Sequence, residues 1–390
     1  MDQRGLMEKH FGCSRFIYNY FLKEKQNHYL NNGTTLNYNQ CSGDLTKMKK
    51  MEEFTWLNDV NAQTLQQAMK NLETAYGKFF KKITKFPTFK KKSNHQTFRV
   101  PQRIFVEGNT ISIPKFKSGI SIDLHRKLIG NIRSATFSKT PSDKYFVSIL
   151  CEVPKKSKEN TNKQIGIDLG ITDFIVTSDG IKIKNPNFNR NFKAKLSKAQ
   201  KHLSRKTKGS KRQQKQRIKV ARIHEKIVNS RKDFQQKLST KLINGYDTIA
   251  VETLSVKNMV KNHNLAYSIS DSGWSSFISM LEYKALWYGK KVIKIDRWYP
   301  SSKTCNGCDY IIDKLPLSVR KWKCPKCSCE HDRDINAAKN ILRQGLNVCS
   351  QELCPTNVEG KALVASNSDE TVLSETLKMV MSVSSQPGIG

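Results

Sequence analysis

Acidic residues are scarce in this sequence. Its 390 residues include 33 Asp and Glu but 68 Lys and Arg, which leaves a formal net charge of +35. A positive field of that size favours a polyanionic partner, either nucleic acid or an anionic membrane surface. Of these two partners, we expect nucleic acid.

Long apolar runs are also missing from the sequence. No run approaches the ~20 residues that would cross a bilayer, and the N-terminal Met1-Asp2-Gln3-Arg4 lacks the apolar core of a signal peptide. We therefore expect a cytoplasmic protein with no membrane partner. Apolar residues still make up 37% of the chain, which is enough for a packed core, and the length predicts two or three domains.

The local patterns divide the chain into four regions. Residues 1–90 show the seven- and four-residue spacing of apolar side chains that predicts helices. Over residues 91–160, short apolar strands alternate with turn residues, which predicts a small β-barrel or sandwich. A meander of three strands, and then alternating helices and strands, fill residues 161–345. We expect a disordered tail over residues 346–390, which are rich in Ser, Thr and Gly.

One predicted helical segment is unusually basic. Residues 190–245 carry 19 Lys and Arg against only Glu225 and Asp233. Repulsion between like charges four residues apart would cost roughly a few tenths of a kcal/mol per pair. A phosphate backbone alongside would offset that cost, so the segment predicts a nucleic-acid surface.

Three carboxylates lie at positions where the predicted order of strands and helices would place catalytic residues. Asp168 lies within the apolar strand Ile-Gly-Ile-Asp-Leu, Glu252 ends another apolar run, and Asp334 opens a helix. The order of strands and helices around them is that of an RNase H-like domain. A carboxylate in an apolar strand is costly to bury unless it is paired or bound to a metal. Mg²⁺ takes such hard oxygen ligands, and two ions about 4 Å apart would activate a water and stabilise the leaving 3′-oxygen in phosphodiester hydrolysis.

Each acid also has a purely structural interpretation. Asp168 could cap a turn, Asp334 could cap a helix or interact with its dipole, and Glu252 could pair with a lysine. Asp332 competes with Asp334 for the third position. Because Asp334 directly precedes the helical Ile-Asn-Ala-Ala, we take Asp334 as the metal ligand and Asp332 as the second choice.

Ten cysteines are present, but they are not spread as in a disulfide framework. Two C-x-x-C pairs stand fifteen residues apart, as in a zinc ribbon with four thiolate ligands. The predicted ligands are Cys305, Cys308, Cys324 and Cys327. Because they leave no coordination position open, the single zinc ion would be structural. Cys329 is a spare thiol, and His331 is a further possible ligand.

Five motifs follow one another along the chain. They are Phe-Gly-Cys-Ser-Arg-Phe-Ile-Tyr-Asn (residues 11–19), Ile-Gly-Ile-Asp-Leu-Gly (165–170), Val-Glu (251–252), Ser-Lys-Thr-Cys (302–305) and His-Asp-Arg-Asp-Ile-Asn-Ala-Ala-Lys-Asn-Ile (331–341). In this combination the sequence resembles the TnpB proteins, the OrfB-type transposases that bacterial insertion sequences encode. The resemblance covers nearly all of residues 11–342.

The resemblance implies an RNA-guided DNA endonuclease related to the ancestors of type V CRISPR effectors. Such a protein binds a guide RNA from its own transposon end, recognises a short motif beside double-stranded target DNA, and cuts that DNA at a single RuvC-type site. By resemblance, the RuvC acids that hold two Mg²⁺ ions are Asp168, Glu252 and Asp334, and the four cysteines hold the zinc. The protein would act in the bacterial cytoplasm, associated with the nucleoid.

The resemblance also implies an α/β multidomain architecture. Residues 1–90 would be a helical recognition lobe, and residues 91–160 a β-barrel wedge domain. An RNase H-like (RuvC) mixed-sheet nuclease domain would comprise residues 161–303 and 329–345, with a zinc ribbon inserted at residues 304–328.

Two departures from the family pattern bear on this fold. The family usually has an extra strand before the Phe-Gly-Cys motif, so the barrel of this chain is expected to lack an edge strand. Asp309 and Ser328 stand where zinc knuckles often carry glycine, which predicts mild backbone strain.

The residues leave two other functions open. RNase H-like folds also host transposases that join DNA strands at transposon ends, and a guided protein could occupy DNA without cutting it. The intact acids disfavour the second function. Joining and cutting share the same paired-metal chemistry, but only a guided enzyme should copurify with RNA.

Overall fold

The computed structural model describes residues 2–93, 95–154, 157–352 and 373–381, with residues 351–352 and 373–381 described by backbone alone. The chain divides into two compact units. Unit 1 is Met1–Pro154 with Thr371–Gly390, and unit 2 is Lys155–Glu370. No helix within the described ranges is long and apolar enough to span a membrane.

Helices form the first part of unit 1. They are α1 (Gln3–Asn32), α2 (Tyr38–Met48), a 3-10 helix (Glu52–Asp59) and α3 (Ala62–Phe80). Their apolar stripes meet in one core that includes Ile17, Leu22, Leu65 and Leu72, because side chains three, four or seven residues apart share a helix face. The helical region is shorter than predicted, since it ends at Phe80 rather than near residue 90.

Seven strands of unit 1 form one sheet in the order β1-β5-β6-β14-β4-β3-β2. They are β1 (Gln96–Val100), β2 (Phe105–Glu107), β3 (Thr110–Ser112), β4 (Ile120–Asp123), β5 (Asn131–Lys139), β6 (Tyr145–Val153) and β14 (Leu373–Met381). Neighbouring strands are antiparallel, and alternate residues such as Phe137, Val147 and Ile149 enter the core. Among the described strands, β1 and β2 do not pair with each other, so the sheet is open at these two edges.

The prediction of a disordered tail over residues 346–390 is wrong for two segments. Helix α9 (Arg333–Glu352) continues into this region, and β14 pairs with β6 along its length and with β4 near its end. Pairing with β6 satisfies the backbone groups on one side of β14 along its length, and pairing with β4 satisfies those near its end on the other side. Partners so distant in sequence leave no trace in local composition. The rest of the predicted tail, residues 353–372 and 382–390, lies outside the described residues. The missing edge strand stays a prediction.

Unit 2 contains a five-stranded mixed sheet in the order β11-β10-β7-β8-β9. Its elements, besides α9, are β7 (Gln164–Leu169), β8 (Asp173–Thr177), β9 (Lys182–Lys184), α4 (Phe188–Ser204), α5 (Lys211–Gly245), β10 (Thr248–Glu252), α6 (Val256–Met259), α7 (His263–Ser272), α8 (Trp274–Tyr288), β11 (Lys291–Ile295), β12 (Lys321–Lys323) and β13 (Glu330–Asp332). Strands β7, β10 and β11 are parallel, while β8 and β9 continue from β7 as an antiparallel meander. The mixed sheet with helices confirms the predicted α/β class.

Helices cover both faces of the unit 2 sheet. On one face, Ile165, Ile167 and Ile249 pack against residues of α5 and α8, including Leu242 and Phe277. On the other face, Ala250 and Ile295 pack against Ile341 of α9. Burial on both faces explains why β7 and β10 are apolar at nearly every position, and it makes the acids in these strands exceptional.

A buried lysine links α8 to α5. The side chain of Lys284 is 6% exposed, and its Nζ donates to the Gln236 carbonyl oxygen, Ser239 Oγ and Thr240 Oγ1 at 2.7–2.9 Å. No carboxylate pairs with Lys284 in the described chain, and burial lowers its pKa from 10.5 to about 8. The folded state therefore binds a proton here less readily than the unfolded state does.

We expect Lys284→Met to remove a pH-dependent cost of folding. Between pH 8 and 10.5 the unfolded chain binds more protons at Lys284 than the folded chain does, so this residue makes the free energy of unfolding rise with pH across that window. Urea denaturation at pH 7, 8, 9 and 10 should show this rise in the wild type relative to Lys284→Met. Lys241→Met, which changes an exposed lysine of α5, should follow the wild-type profile. Parallel profiles for wild type and Lys284→Met would contradict the lowered pKa.

Candidate active site and cysteine metal centre

Strand register brings two of the predicted acids side by side. Strands β7 and β10 run parallel with Ile167 opposite Val251, so Asp168 and Glu252 are the next neighbours along the two strands. Their carboxyl groups share a hydrogen bond, and the backbone N–H of Leu169 donates another to Glu252. The two acids therefore lie together at the carboxyl ends of adjacent strands.

Helix α9 approaches the same face of the sheet very closely. A Cβ atom on Gly166 would lie 2.1 Å from the carbonyl oxygen of Ala338 and 2.7 Å from the backbone nitrogen of Leu342. A Cβ atom on Gly345 would lie 2.6 Å from the Cβ of Ala250. All three distances are far inside van der Waals contact, so the absence of side chains at these two glycines sets the distance between helix and sheet.

Asp334, in the first turn of α9, completes the acidic group. Its charge and that of Glu252 both act on the carboxyl group of Asp168. A guanidinium nitrogen of the largely exposed Arg320 lies 3.4 Å from each carboxylate oxygen of Asp334. The structure thus places Asp168 beside Glu252 and within electrostatic reach of Asp334, with each acid on a different element.

Asp332, the second choice for the third position, has a structural role. Its Oδ1 accepts hydrogen bonds from the backbone N–H groups of Asp334 and Ile335, each at 3.2 Å, and so caps the start of α9. Its Oδ2 lies 2.7 Å from Nζ of Lys182. Asp332 is held by backbone groups of the helix it caps and by the nearby Lys182, whereas the partner of Asp334 is the more distant and more exposed Arg320, so Asp334 is the more available to a metal ion.

The acidic group is electrostatically unfavourable in its ionised form. Burial raises the pKa of Asp168 well above its ordinary value, and the charges of Glu252 and Asp334 raise this pKa further. Burial also raises the pKa of Glu252. A divalent cation among the three groups would stabilise their ionised forms, and a cluster of carboxylate oxygens is the donor set that suits Mg²⁺.

We expect Gly166→Ala to displace α9 and to lower stability. The new Cβ would collide with backbone atoms of α9, which no rotamer change can relieve, and overpacking of this kind costs about 1–3 kcal/mol. Urea denaturation measures the loss. The matched control is Gly245→Ala, at the end of α5, where a Cβ atom would meet no heavy atom within 4 Å. A free energy of unfolding unchanged by Gly166→Ala would contradict the close approach.

The four predicted zinc ligands also converge. The Sγ atoms of Cys305, Cys308, Cys324 and Cys327 all lie within 4.8 Å of one another. Among the described residues, only this group brings three or more potential ligand atoms so close together. The backbone turns through a left-handed φ of 60° at both Asp309 and Ser328, the two positions where the sequence predicted strain for lack of glycine. The cluster could therefore hold a metal ion.

Backbone hydrogen bonds prepare one of these thiols to bind a metal. Burial would raise the pKa of Cys324, but the N–H groups of Cys327 and Lys326, together with hydrogen bonds to the Cys308 and Cys327 side chains, lower it to about 6. Cys305 is different, because burial raises its pKa to about 12. A bound cation would favour the thiolate at both positions.

Two residues near the cluster were left undecided by the sequence. Nε2 of His331 lies 3.0 Å from Sγ of Cys305, and its ring lies 4.7 Å from that of Trp322. His331 therefore hydrogen-bonds to a cysteine of the cluster. The thiol of Cys329 is free and exposed, as expected for a spare cysteine.

Two buried asparagines of α9, neither of them predicted from the sequence, hold the loop that carries Cys305. Asn336 accepts a hydrogen bond from the backbone N–H of Asn306 at 3.0 Å and donates to the carbonyl oxygen of Thr304 at 2.7 Å. Asn340 donates to the same Thr304 oxygen at 2.6 Å and to the Ser301 oxygen at 2.8 Å. Their spacing of four residues on an otherwise apolar helix face was the signal available in the sequence.

Family models match three parts of the chain. Residues 148–263 match OrfB_IS605, described as "Probable transposase", and residues 274–341 match the TNB domain of Cas12f1-like proteins. Residues 2–34 match a helix-turn-helix domain of the OrfB_IS605 group, although in this chain residues 3–32 form the single helix α1.

Related proteins match almost the whole length. A protein of Streptomyces pristinaespiralis named as an RNA-guided DNA endonuclease is 40% identical over 91% of this chain and 89% of its own length. A protein of Escherichia coli with the same type of name, InsQ, is 32% identical over 88% and 89%. A TnpB-like protein of Acanthamoeba polyphaga mimivirus is 29% identical over 52% and 41%. The chain belongs to the OrfB_IS605 family of TnpB-like proteins.

A solved structure shares the fold. The chain of Cas12f1 in its complex with sgRNA and target DNA superposes with a TM-score of 0.55 at 15% identity, over 87% of this chain and 83% of that one. At this identity the likeness concerns the fold alone.

Proposed function

We propose that this protein is an RNA-guided DNA endonuclease that hydrolyses phosphodiesters at a RuvC-type site formed by Asp168, Glu252 and Asp334. The observation that carries the proposal is the convergence of these acids from β7, β10 and α9, within an RNase H-like order of elements. The relatives named as RNA-guided DNA endonucleases supply the reaction class.

The three acids would bind two Mg²⁺ ions. Bound there, the ions would supply an activated water and stabilise the charge on the leaving oxygen. Asp168 interacts with both of the other carboxylates, so it would be the ligand that the two ions share. Arg320 would have to release Asp334, and because the guanidinium is mostly exposed, that release costs little. The apolar strands around the acids exclude water and strengthen the local field.

The four cysteines would bind one structural zinc ion. A complete set of four thiolates leaves no position for substrate, so the ion would stabilise the ribbon at residues 304–328 without taking part in cleavage. Through Thr304 and Asn306 the ribbon is hydrogen-bonded to α9, the helix that carries Asp334. Zinc would thus contribute indirectly to the position of the third acid.

The partners would be a guide RNA from the transposon end and double-stranded target DNA with a short flanking motif. The net charge of +35 supports a polyanionic partner. Helices α4 and α5 form a hairpin, and no residue of α4 is buried. The many basic side chains of this hairpin would contact a phosphate backbone. On this proposal, residues 1–90 would act as the recognition lobe, 91–160 as the wedge, and the protein would work in the bacterial cytoplasm near the nucleoid.

The experiment that tests this function starts from nucleic acid bound to the purified native protein. A discrete copurified RNA whose 3′ segment directs Mg²⁺-dependent cleavage of matched DNA is the expected result. The description "Probable transposase" of the matched family keeps strand transfer as the second candidate. No specific RNA, together with joining confined to transposon ends, would overturn the proposal in favour of strand transfer.

We expect Asp168→Ala to abolish cleavage while leaving RNA and DNA binding near normal. The substitution removes the acid that interacts with both of the others, and the rate should fall by at least about 10²–10³-fold, as for other groups that stabilise transition-state charge. Binding should persist because it depends on many separate basic contacts. Single-turnover cleavage and filter binding measure the two effects. Asp233→Ala, an exposed acid of α5, should cleave as the wild type does, and equal loss of binding and cleavage in Asp168→Ala would refute the site.

We expect Cys324→Ser to lose about one zinc ion per chain and to lower the thermal stability of unit 2. The remaining three thiols cannot complete tetrahedral coordination, and lost metal affinity is lost folding energy. Elemental analysis after gel filtration measures the zinc. The matched control is Cys329→Ser, in the same loop, which should retain the wild-type zinc content. Full zinc content in Cys324→Ser would exclude the four-cysteine site.

A further inference from the structure

An exposed tryptophan lies in the loop after β11. Trp298 is 77% exposed, more than any other aromatic side chain in the described part of the chain. Two other tryptophans of unit 2, Trp274 and Trp322, are only 2% and 7% exposed. A large apolar ring left in water gains nothing for folding, so Trp298 is better suited to contacting a partner.

Strand register places this tryptophan at the same edge of the sheet as the acids. Ile295, the last residue of β11, pairs with Glu252 in parallel register, and Thr253 Oγ1 donates to the Ile295 carbonyl oxygen at 2.7 Å. The chain beyond Ile295 therefore leaves the sheet beside the chain beyond Glu252. Trp298 follows only three residues later, at the edge of the sheet where β10 ends in Glu252.

The loop that presents the indole is held in one conformation. The backbone N–H of Trp298 donates to Asp296 Oδ1 at 2.7 Å, and Tyr299 packs against the apolar cluster beneath α9. Two residues further on, the Ser301 carbonyl oxygen accepts from Asn340. Because the loop is already ordered on both sides of Trp298, a ligand that stacks on the ring would lose little entropy by fixing it.

A cation accompanies the ring. The guanidinium carbon of Arg297 lies 4.6 Å from the centre of the Trp298 ring, and within the described residues Arg297 has no carboxylate partner. An unpaired nucleotide offers a base, which can stack on an aromatic ring, and a phosphate, which can bind a guanidinium. Trp298 and Arg297 present these two groups side by side. A protein partner would not require the cation, and double-stranded DNA would not offer the face of a base.

We propose that Trp298 stacks on an unpaired nucleobase of the DNA strand that enters the candidate site, with Arg297 on a neighbouring phosphate. This role rests on the proposed nuclease function. It makes Trp298 a substrate-positioning residue, which holds the strand so that a phosphodiester lies at Asp168 and Glu252. Stacking of this kind changes affinity by about ten-fold or more.

The first readout is fluorescence, which does not depend on cleavage. In RNA-loaded Asp168→Ala protein, a short single-stranded oligothymidylate should quench tryptophan emission by stacking on Trp298. The quench should be lost in the double variant Asp168→Ala with Trp298→Leu, which keeps an apolar side chain but no aromatic face. Equal quenching in both proteins would overturn the proposal, whether or not the wild type cleaves DNA.

The second readout is cleavage of DNA by the otherwise wild-type protein. Trp298→Leu should raise the KM for matched DNA by about ten-fold with a smaller effect on kcat, and Trp298→Phe should restore most of the loss. The control is Leu286→Ala, which removes another exposed apolar side chain of unit 2 and should cleave as the wild type does. Unchanged KM in Trp298→Leu would overturn the stacking role. If the wild type did not cleave but the quench persisted, the nuclease proposal alone would fail.

Discussion

The close contact between α9 and the sheet is the constraint on which the candidate site depends. At Gly166 the backbone of β7 lies directly against the backbone of α9, and farther along the helix Gly345 lies directly against Ala250 of β10. Only this short distance allows an acid in the first turn of α9 to act on a carboxyl group in β7. Two positions without side chains thus determine where Asp334 lies, although neither has any chemistry of its own. Their role is geometric, and glycine is the only residue that fits it.

The same helix connects the acids to the cysteine cluster. Asp332 caps α9 at its start, and Asn336 and Asn340 bind the loop that carries Cys305. Asn336 and Asn340 are only 2% and 0% exposed, and amide side chains so deeply buried need hydrogen-bond partners. The loop and the helix therefore have to adopt their positions together. In this arrangement a metal that orders the cysteines also restricts the helix, and a disturbance of either would reach Asp334.

Sequence patterns were sufficient to single out acids and cysteines that the fold brings near one another, because each stands in a local context that indicates its chemistry. Asp168 interrupts an apolar strand, and the cysteine pairs have the spacing of metal knuckles. The sequence favoured Asp334 over Asp332, but it could not predict that Asp332 caps α9, since capping depends on where a side chain points. The place of β14 between β6 and β4, and the fit of Gly166 against α9, could not be predicted either. Both arise from pairing between segments far apart in sequence, for which a single sequence carries no periodic signal.

The acidic group is a site where function opposes stability. Three carboxylates in apolar surroundings raise the pKa of Asp168 and disfavour the ionised form, and a fold selected for stability alone would place apolar residues there. Arg320 neutralises part of the charge on Asp334, but from an exposed position and at 3.4 Å, so it is a weak partner that a stronger cation can replace. The protein therefore retains a locally unfavourable arrangement whose cost is relieved when metal binds, as expected of a site built for a charged ligand rather than for packing.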